Sequence, residues 1–487
     1  MAYRYGEDVH QAVLFPQTLD EYVSLDHPVR AYDAFVDALD FSKLGITLND
    51  HQVGNSEYDP RRMLKLLIFG YSYGVKSSRK LERETYNNVA FMWLMRRLTP
   101  DHKTISEFRR EHKDGLKKAL RLCARLCMRL NLIEGNVLFV DGTKIRANAG
   151  RGQNHTEAWY RKRLKHLDDR IDQLLRECED LDDQEGDLGS LVKMDKDLTH
   201  AESLKKRVEG VLEEFREHGT KTRNGKERTI NLTDPESALM KSVQGSHASY
   251  NVQSVVDDRH GLIVSVDAVR EGSDVNQFCK QIVQAEAVLG KTCDVACADA
   301  GYADTEELSI IDQRGTKVIV PSQRQALHEE ENSWSKRVFT YDQEGNCYTC
   351  PEGHKLSYEG KDAHGKKLLY RIVDAALCLS CRNFGVCTKA KKGRKIVRLA
   401  NEEIKEKLER QYEQPESQEI YARRKACAEH PFGHVKRNLG ITGFLLRGLK
   451  GAGAEISIAA VCFNVARMIT ILGGVPAMIA KLATVGV

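Results

Sequence analysis

Between Asn136 and Val320 short apolar runs alternate with helical segments, a pattern that restricts this part of the chain to a sheet covered by helices. The run from Asn136 to Val140 leads into Asp141-Gly142-Thr143 and reads as a strand whose end presents a carboxylate. Tyr250 to Val256 and Leu262 to Val269 are two further β-rich runs, joined by Asp257-Asp258-Arg259-His260-Gly261, a hairpin sequence. A helix from about Val275 to Leu289 follows, then a strand from Val295 to Asp299, a helix from Thr305 to Gln313 and a strand from Lys317 to Val320. A charged helix from about Asn401 and a second through Glu429 close the pattern.

Two segments interrupt this order. Leu164, Leu167, Ile171, Leu174, Cys178 and Leu181 repeat at helical spacing, as do Leu204, Val208, Val211 and Phe215, which predicts an antiparallel helical hairpin turning near Gly186 and Gly189. The second interruption holds five of the chain's 13 cysteines, between Cys347 and Cys387. Ahead of the sheet, from about Ser24 to Leu132, the pattern is helical. Pro60 marks the start of the run Met63, Leu64, Leu66, Leu67 and Ile68. A second helix is expected from Thr104, capped by Thr104 or Ser106, with Leu116, Ala119, Cys123, Leu126 and Leu130 along one face. Arg79, Lys80, Arg83, Arg109, Arg110, Lys117 and Lys118 in this region read equally as phosphate contacts or as a solvated face.

Composition limits the remaining classes. Lys and Arg number 74 against 70 Asp and Glu, a net charge of +4, so any nucleic-acid surface must be local. An odd number of scattered cysteines argues against a secreted disulfide framework. The start MAYRYGEDVHQAV has no apolar core behind a basic flank, which predicts a cytoplasmic protein. The apolar stretch from Ile456 to Val487 is interrupted by Asn464, Arg467, Gly473, Gly474, Pro476 and Lys481, and reads as a buried helix or helix pair rather than a membrane span.

Three acids carry the chemical expectation. Asp141 and Asp299 each follow a buried-strand sequence, and a loop aspartate in that position taken singly is more often a cap than a catalyst. Glu429 is followed seven residues later by Lys436, nearly two helical turns on, so both share a face within a segment that also holds Arg423, Arg424, Lys425 and Arg437. A carboxylate and a lysine so placed suit a metal ion and a phosphate together. In the cysteine-rich segment, Cys347-Tyr-Thr-Cys350 and Cys378-Leu-Ser-Cys381 are two knuckles with Cys387 as a fifth thiol, the donor set of a structural Zn²⁺. Four ligands suffice, and Cys387 or Cys381 is the expected spare. The basic run KAKKGRKIVR follows, with Lys389, Lys391, Lys392, Arg394, Lys395 and Arg398, and reads as a contact to the DNA backbone or as a solvated loop.

Taken in order, FVDGTKIRANA, ADAGY and YARRKACAEHPFGHVK resemble the insertion-sequence DDE transposases of bacteria, in the branch whose third carboxylate lies in a Tyr-Arg-Glu-Lys signature. YDPRRMLKLLIFGY, LTPDHKTISEFRREH, DPESALM before YNVQ, and AAVCFNVARM extend the resemblance over nearly the whole chain. It implies an α/β fold: a ribonuclease H-like catalytic core with an all-α N-terminal domain, a helical-hairpin insertion and a small zinc-ribbon-like insertion. The expected division is a helical DNA-binding or dimerisation domain over 1–133, core over 134–152, helical hairpin over 153–230, core over 231–325, cysteine-rich insertion over 326–398, and core with terminal helices over 399–487.

The resemblance puts the catalytic triad on Asp141, Asp299 and Glu429, and the signature tyrosine, arginine and lysine on Tyr421, Arg424 and Lys436. One departure stands: the family's arginine lies four residues before the glutamate, where this chain has Lys425, with Arg424 one residue earlier. Two Mg²⁺ or Mn²⁺ ions per site are implied, bridged by Asp141 and completed by Asp299 and Glu429, with Lys436 and Arg424 on DNA phosphates. The expected function is recognition of terminal inverted repeats, DNA cleavage and strand transfer, by a homodimer or larger assembly on double-stranded DNA in the nucleoid. Two readings remain beside it: a catalytically silent DNA-binding derivative, and a nuclease without strand transfer.

Overall fold

Asp59 and Pro60 open a helix where the sequence predicts one: the Asp59 carboxylate accepts the backbone N–H of Arg61, and Pro60 takes the first helical position, where its missing N–H costs no bond. The computed structural model describes residues 18–48, 57–182, 188–222, 225–242, 245–327, 334–362, 365 and 367–485. It is a mixed α/β protein, and it divides into two units. The first comprises Met1–Asp274, Gln281–Cys293 and Arg424–Val487, and the second Val275–Lys280 and Asp294–Arg423.

The N-terminal part of the first unit is helical: α1 (Pro28–Asp37), α2 (Phe41–Leu44), α3 (Pro60–Ser72), α4 (Ser78–Asn87), α5 (Val89–Met95), α6 (His102–Glu111) and α7 (Lys113–Arg129). Where one helix from Thr104 was expected there are two, broken at His112. Neither Thr104 nor Ser106 caps the first. Asp101 does, accepting from the Thr104 N–H at 2.7 Å. Lys65 is buried on α3 and is held by Asp33 at 2.6 Å and Asp37 at 2.7 Å, so its charge is paired. Arg109 is also buried and bonded to Tyr71 and to the carbonyl of Lys76, which removes it from the expected phosphate contacts.

Strand β1 (Val137–Arg146) comes next, followed by β2 (Asn154–His155), α8 (Glu157–Asp182), α9 (Leu188–His218), β3 (Ile230–Asn231), β4 (Ala238–Ser242), β5 (Gly245–Asp257) and β6 (Ile263–Val269). β5 pairs antiparallel with β1, β4 and β6. The expectation that the first strand ends at Val140 is corrected. Its ladder with β5 continues through Asp141 opposite Ser254 to Arg146 opposite Ser249, so Asp141 lies mid-strand. α8 and α9 pack on each other through Tyr160, Leu167, Val208, Val211, Leu212 and Phe215. Gly189 lies inside α9, while Gly186 and the side chains of Cys178 and Leu181 fall outside the described residues.

Helix α10 (Phe278–Leu289) follows β6 in the chain. Within the second unit, β7 (Val295–Cys297), α11 (Thr305–Gln313) and β8 (Lys317–Ile319) form a crossover in which the two strands are parallel. After α12 (Gln323–Ala326), strands β9 (Thr340–Asp342), β10 (Cys347–Thr349), β11 (Lys355–Lys361), β12 (Lys367–Ile372) and β13 (Lys395–Leu399) make an antiparallel sheet, with α13 (Ala375–Leu379) between the last two. Its core is Phe339, Tyr348, Leu356, Tyr370, Ile372 and Ile396.

Helices α14 (Glu402–Glu413) and α15 (Pro415–Arg437) follow, and α16 (Gly448–Ile471) and α17 (Val475–Thr484) end the chain. α16 packs against α3, α7 and β6 in the first unit. Its most apolar stretch, long enough to cross a membrane, is 72% buried inside the protein. Asn464, wholly buried there, bonds both the N–H and the carbonyl of Ile263, tying the helix to β6.

Candidate active site

The phase of α15 decides which of its basic residues turns inward. Arg424, Ala428, Phe432 and Val435 are buried at helical spacing and define its packed face, whereas Lys425 is exposed. Arg424 therefore reaches inward from the position where the family pattern does not place its arginine. The helix runs on through Pro431, which supplies no N–H to the carbonyl four residues earlier.

The guanidinium of Arg424 lies between two carboxylates: its NH1 is 3.7 Å from Asp141 Oδ1 and its NH2 is 3.8 Å from Glu429 Oε1. Asp141 is largely enclosed, its side chain 13% exposed, while Glu429 is 49% exposed and open to a ligand. Lys436 donates from Nζ to the hydroxyl of Thr143 at 2.5 Å. Burial holds the Lys436 ammonium below the ordinary lysine range, and the charge of Asp141 opposes that shift. Thr143 was not anticipated. Alternation along β1 puts it on the same face as Asp141, two residues away, and that period was the available signal.

Asp299 belongs to the second unit. It follows β7 and caps the short turn Ala300–Tyr302, accepting the N–H of Gly301 at 2.8 Å. Tyr421, on the part of α15 in that unit, meets the ring of Tyr412 edge-on at 5.2 Å. Among the described residues, no three His, Cys, Asp or Glu side chains gather closely enough to hold a metal ion.

Two family models match the sequence. One, described as a transposase domain (DUF772), matches residues 17–111, and the other, a transposase DDE domain, matches residues 349–469 and so encloses Arg424, Glu429 and Lys436. The chain is an insertion-sequence DDE transposase. It is thus an enzyme that acts on DNA. No curated protein matches the sequence. A chain of the piggyBac transposase synaptic complex with hairpin DNA (SNHP), solved by cryo-EM, is 9% identical over 94% of this chain and 80% of that one, with a TM-score of 0.33, too low to bear on the fold.

The transposase's cysteine segment sorts its thiols. Cys350, Cys378 and Cys387 pack against the second unit's β-sheet core. Burial pushes the Cys387 thiol up; Arg394 lowers it, and the neighbouring Cys378, Cys350 and Cys381 raise it further. Three of these sulfurs accept backbone N–H groups: Cys350 from His354 at 3.3 Å, Cys381 from Asn383 at 3.4 Å and Cys378 from Arg394 at 3.4 Å. Cys347 is apart from them. It is buried within β10 and its thiol faces the Asp342 carboxylate at 3.8 Å.

The basic run divides in the same way. Lys391, Lys392 and Lys395 are exposed. Arg394 is committed to the carbonyls of Cys387 and Trp334 and lies over the Phe339 ring, and Arg398 is buried against Tyr348 and Tyr341. These two arginines brace the module.

Proposed function

We propose that this transposase binds the terminal inverted repeats of an insertion sequence, cuts DNA at its ends and joins the freed 3′-ends to a target. The observation that carries the reading is the Arg424 guanidinium shared by Asp141 and Glu429, with Lys436 beside them. Carboxylates concentrated next to a phosphodiester repel it unless cations lie between, and this set supplies both acids for a metal and bases for a phosphate.

In this reading the fold is ribonuclease H-like. Its supports are the antiparallel β6-β5-β1 order in the first unit and the parallel β7–α11–β8 crossover in the second. Asp141, Asp299 and Glu429 would hold Mg²⁺ or Mn²⁺, for which their hard oxygen donors are suited; Asp299 enters by family resemblance. When bound, the metal supplies an activated water or 3′-hydroxyl and stabilises the leaving oxygen. Lys436, oriented by Thr143, holds a DNA phosphate at the cut, and Arg424 keeps the two acids of the first unit apart and correctly aimed.

A structural zinc on Cys350, Cys378, Cys381 and Cys387 belongs to the same reading, and to ligate it these sulfurs would have to draw closer together than they stand in the structure. Three of these soft sulfur donors accept backbone N–H bonds, contacts that would orient them around a metal. Lys391, Lys392 and Lys395 beside them would contact the DNA backbone. Action on two ends at once calls for a dimer or larger assembly, working in the cytoplasm where the DNA is.

Incubation of the protein with end-bearing DNA, a supercoiled plasmid and Mg²⁺ separates the readings. Joined products are expected. Cuts without joining would make the protein a nuclease, and binding without cuts a silent derivative.

A further inference from the structure

Glu455 is a fully buried carboxylate on α16 that the proposed chemistry does not use. A carboxylate withdrawn from water persists only where other groups replace its hydration, and here they are specific. Oε2 accepts the backbone N–H of Leu445 at 2.8 Å and of Leu446 at 3.1 Å, and Oε1 accepts the hydroxyl of Tyr71 at 3.1 Å. Arg109 donates to the same hydroxyl at 3.2 Å and to the carbonyl of Lys76 at 2.9 Å, and Lys76 in turn reaches the carbonyl of Gly440 at 2.6 Å. Burial raises the pKa of Glu455, while the two backbone donors, Arg109 and Tyr71 lower it.

The segment held in this way, residues 438–447, leaves the helix that carries Glu429 and Lys436. The N–H of Ile441 bonds the carbonyl of Val435 at 3.0 Å, closing the helix exit. The segment then lies along the end of β1: Arg146 N–H to the Thr442 carbonyl at 3.3 Å, Phe444 N–H to the Arg146 carbonyl at 2.9 Å, and the Asn148 amide to the Leu445 carbonyl at 2.7 Å. β1 carries Asp141 and Thr143. One buried carboxylate thus fixes the passage that joins the helix of Glu429 to the strand of Asp141.

We propose that Glu455 is a positioning residue for the metal-binding carboxylates: it locks the 438–447 passage, and with it the setting of α15 on β1, and through Tyr71 and Arg109 ties that setting to α3 and α6. The proposal rests on the reading that Asp141 and Glu429 hold the metal. If Glu455 only stabilised the fold, its loss would lower the melting temperature and leave the metal requirement of the folded protein unchanged.

Two measurements test it. In the wild-type protein, amide exchange at Leu445 and Leu446 is expected to be as slow as in the β1–β5 ladder; exchange as fast as in exposed loops would overturn the clamp. In a Mg²⁺ titration of end-DNA cleavage, well below the melting temperature of every variant, Glu455→Met removes the acceptor at similar length and is expected to raise the half-saturating Mg²⁺ concentration about 10- to 100-fold, the usual effect of losing a residue that orients metal ligands. Glu455→Gln keeps an acceptor oxygen and is expected to stay near the wild type. Metal-free affinity for end DNA is expected to be equal in all three proteins. An unchanged Mg²⁺ requirement in Glu455→Met would overturn the proposal. Should that variant not fold, Tyr71→Phe takes its place, and it is expected to shift the Mg²⁺ midpoint in the same direction. Should the wild type show no Mg²⁺-dependent cleavage, the functional reading fails, and the exchange result alone decides the clamp.

Discussion

Lys436 Nζ donates to Thr143 Oγ1 at 2.5 Å, joining the last turn of α15 to the strand of Asp141. A hydrogen bond to a charged group contributes about 1.5–3 kcal/mol, enough for a rate effect of about 10-fold or more. Thr143→Val, which keeps the shape and removes the hydroxyl, is therefore expected to slow single-turnover DNA cleavage by about that factor with little change in melting temperature. An unchanged rate would mean that the bond does not orient the lysine.

The same lysine sets an alkaline limit. Burial lowers its pKa, so its charge is lost at a pH where an exposed lysine keeps it. Cleavage should decline on the alkaline side below the ordinary lysine range, and Lys436→Arg, which stays charged, should move that decline upward. The sign for stability is the reverse of a salt-bridged lysine. Between the lowered folded value and the unfolded one, the unfolded chain binds more protons, so this group's contribution to stability rises with pH. Parallel pH titrations of rate and melting temperature check both.

Arg424 and Lys425 offer a direct comparison. Arg424 is buried between Asp141 and Glu429 and Lys425 is exposed. Removing a charge that organises an active site commonly costs about 100-fold or more in rate, so Arg424→Met should lose about that and Lys425→Met very little. The opposite ranking in a cleavage assay would restore the arginine's role to the position the family pattern gives it.

Much of this was readable from the sequence, and the exceptions share a cause. Local signals placed the helix at Pro60, the β5–β6 hairpin at Gly261 and the α11 span, because caps, turn residues and periodicity act within a few residues. β1 runs past Val140 because its partner strand continues opposite it, a fact that Gly142 and Lys144 do not announce. The preference for Arg424 follows from the phase of Ala428, Phe432 and Val435, which is legible only once those residues are known to be the packed face. Glu455 gave no signal, since its bonds run to Leu445, Leu446 and the distant Tyr71.

Among the cysteines, sequence spacing treats Cys347 and Cys350 as one knuckle. The structure places Cys347 within β10, in register with Asp342 and Ser357, and Cys350 just past its end. Native mass spectrometry is expected to find one zinc per chain, lost on Cys350→Ser, Cys378→Ser, Cys381→Ser or Cys387→Ser and kept on Cys347→Ser. A folded, zinc-free wild type would remove the metal from this account.

The central claim is that Asp141, Asp299 and Glu429 act together on DNA, and Asp299 is the member that stands in the other unit. Cleavage of end-bearing DNA by Asp299→Ala in Mg²⁺ tests it most directly. The account predicts a folded protein that binds the ends and leaves them uncut; cutting at the wild-type rate would contradict it.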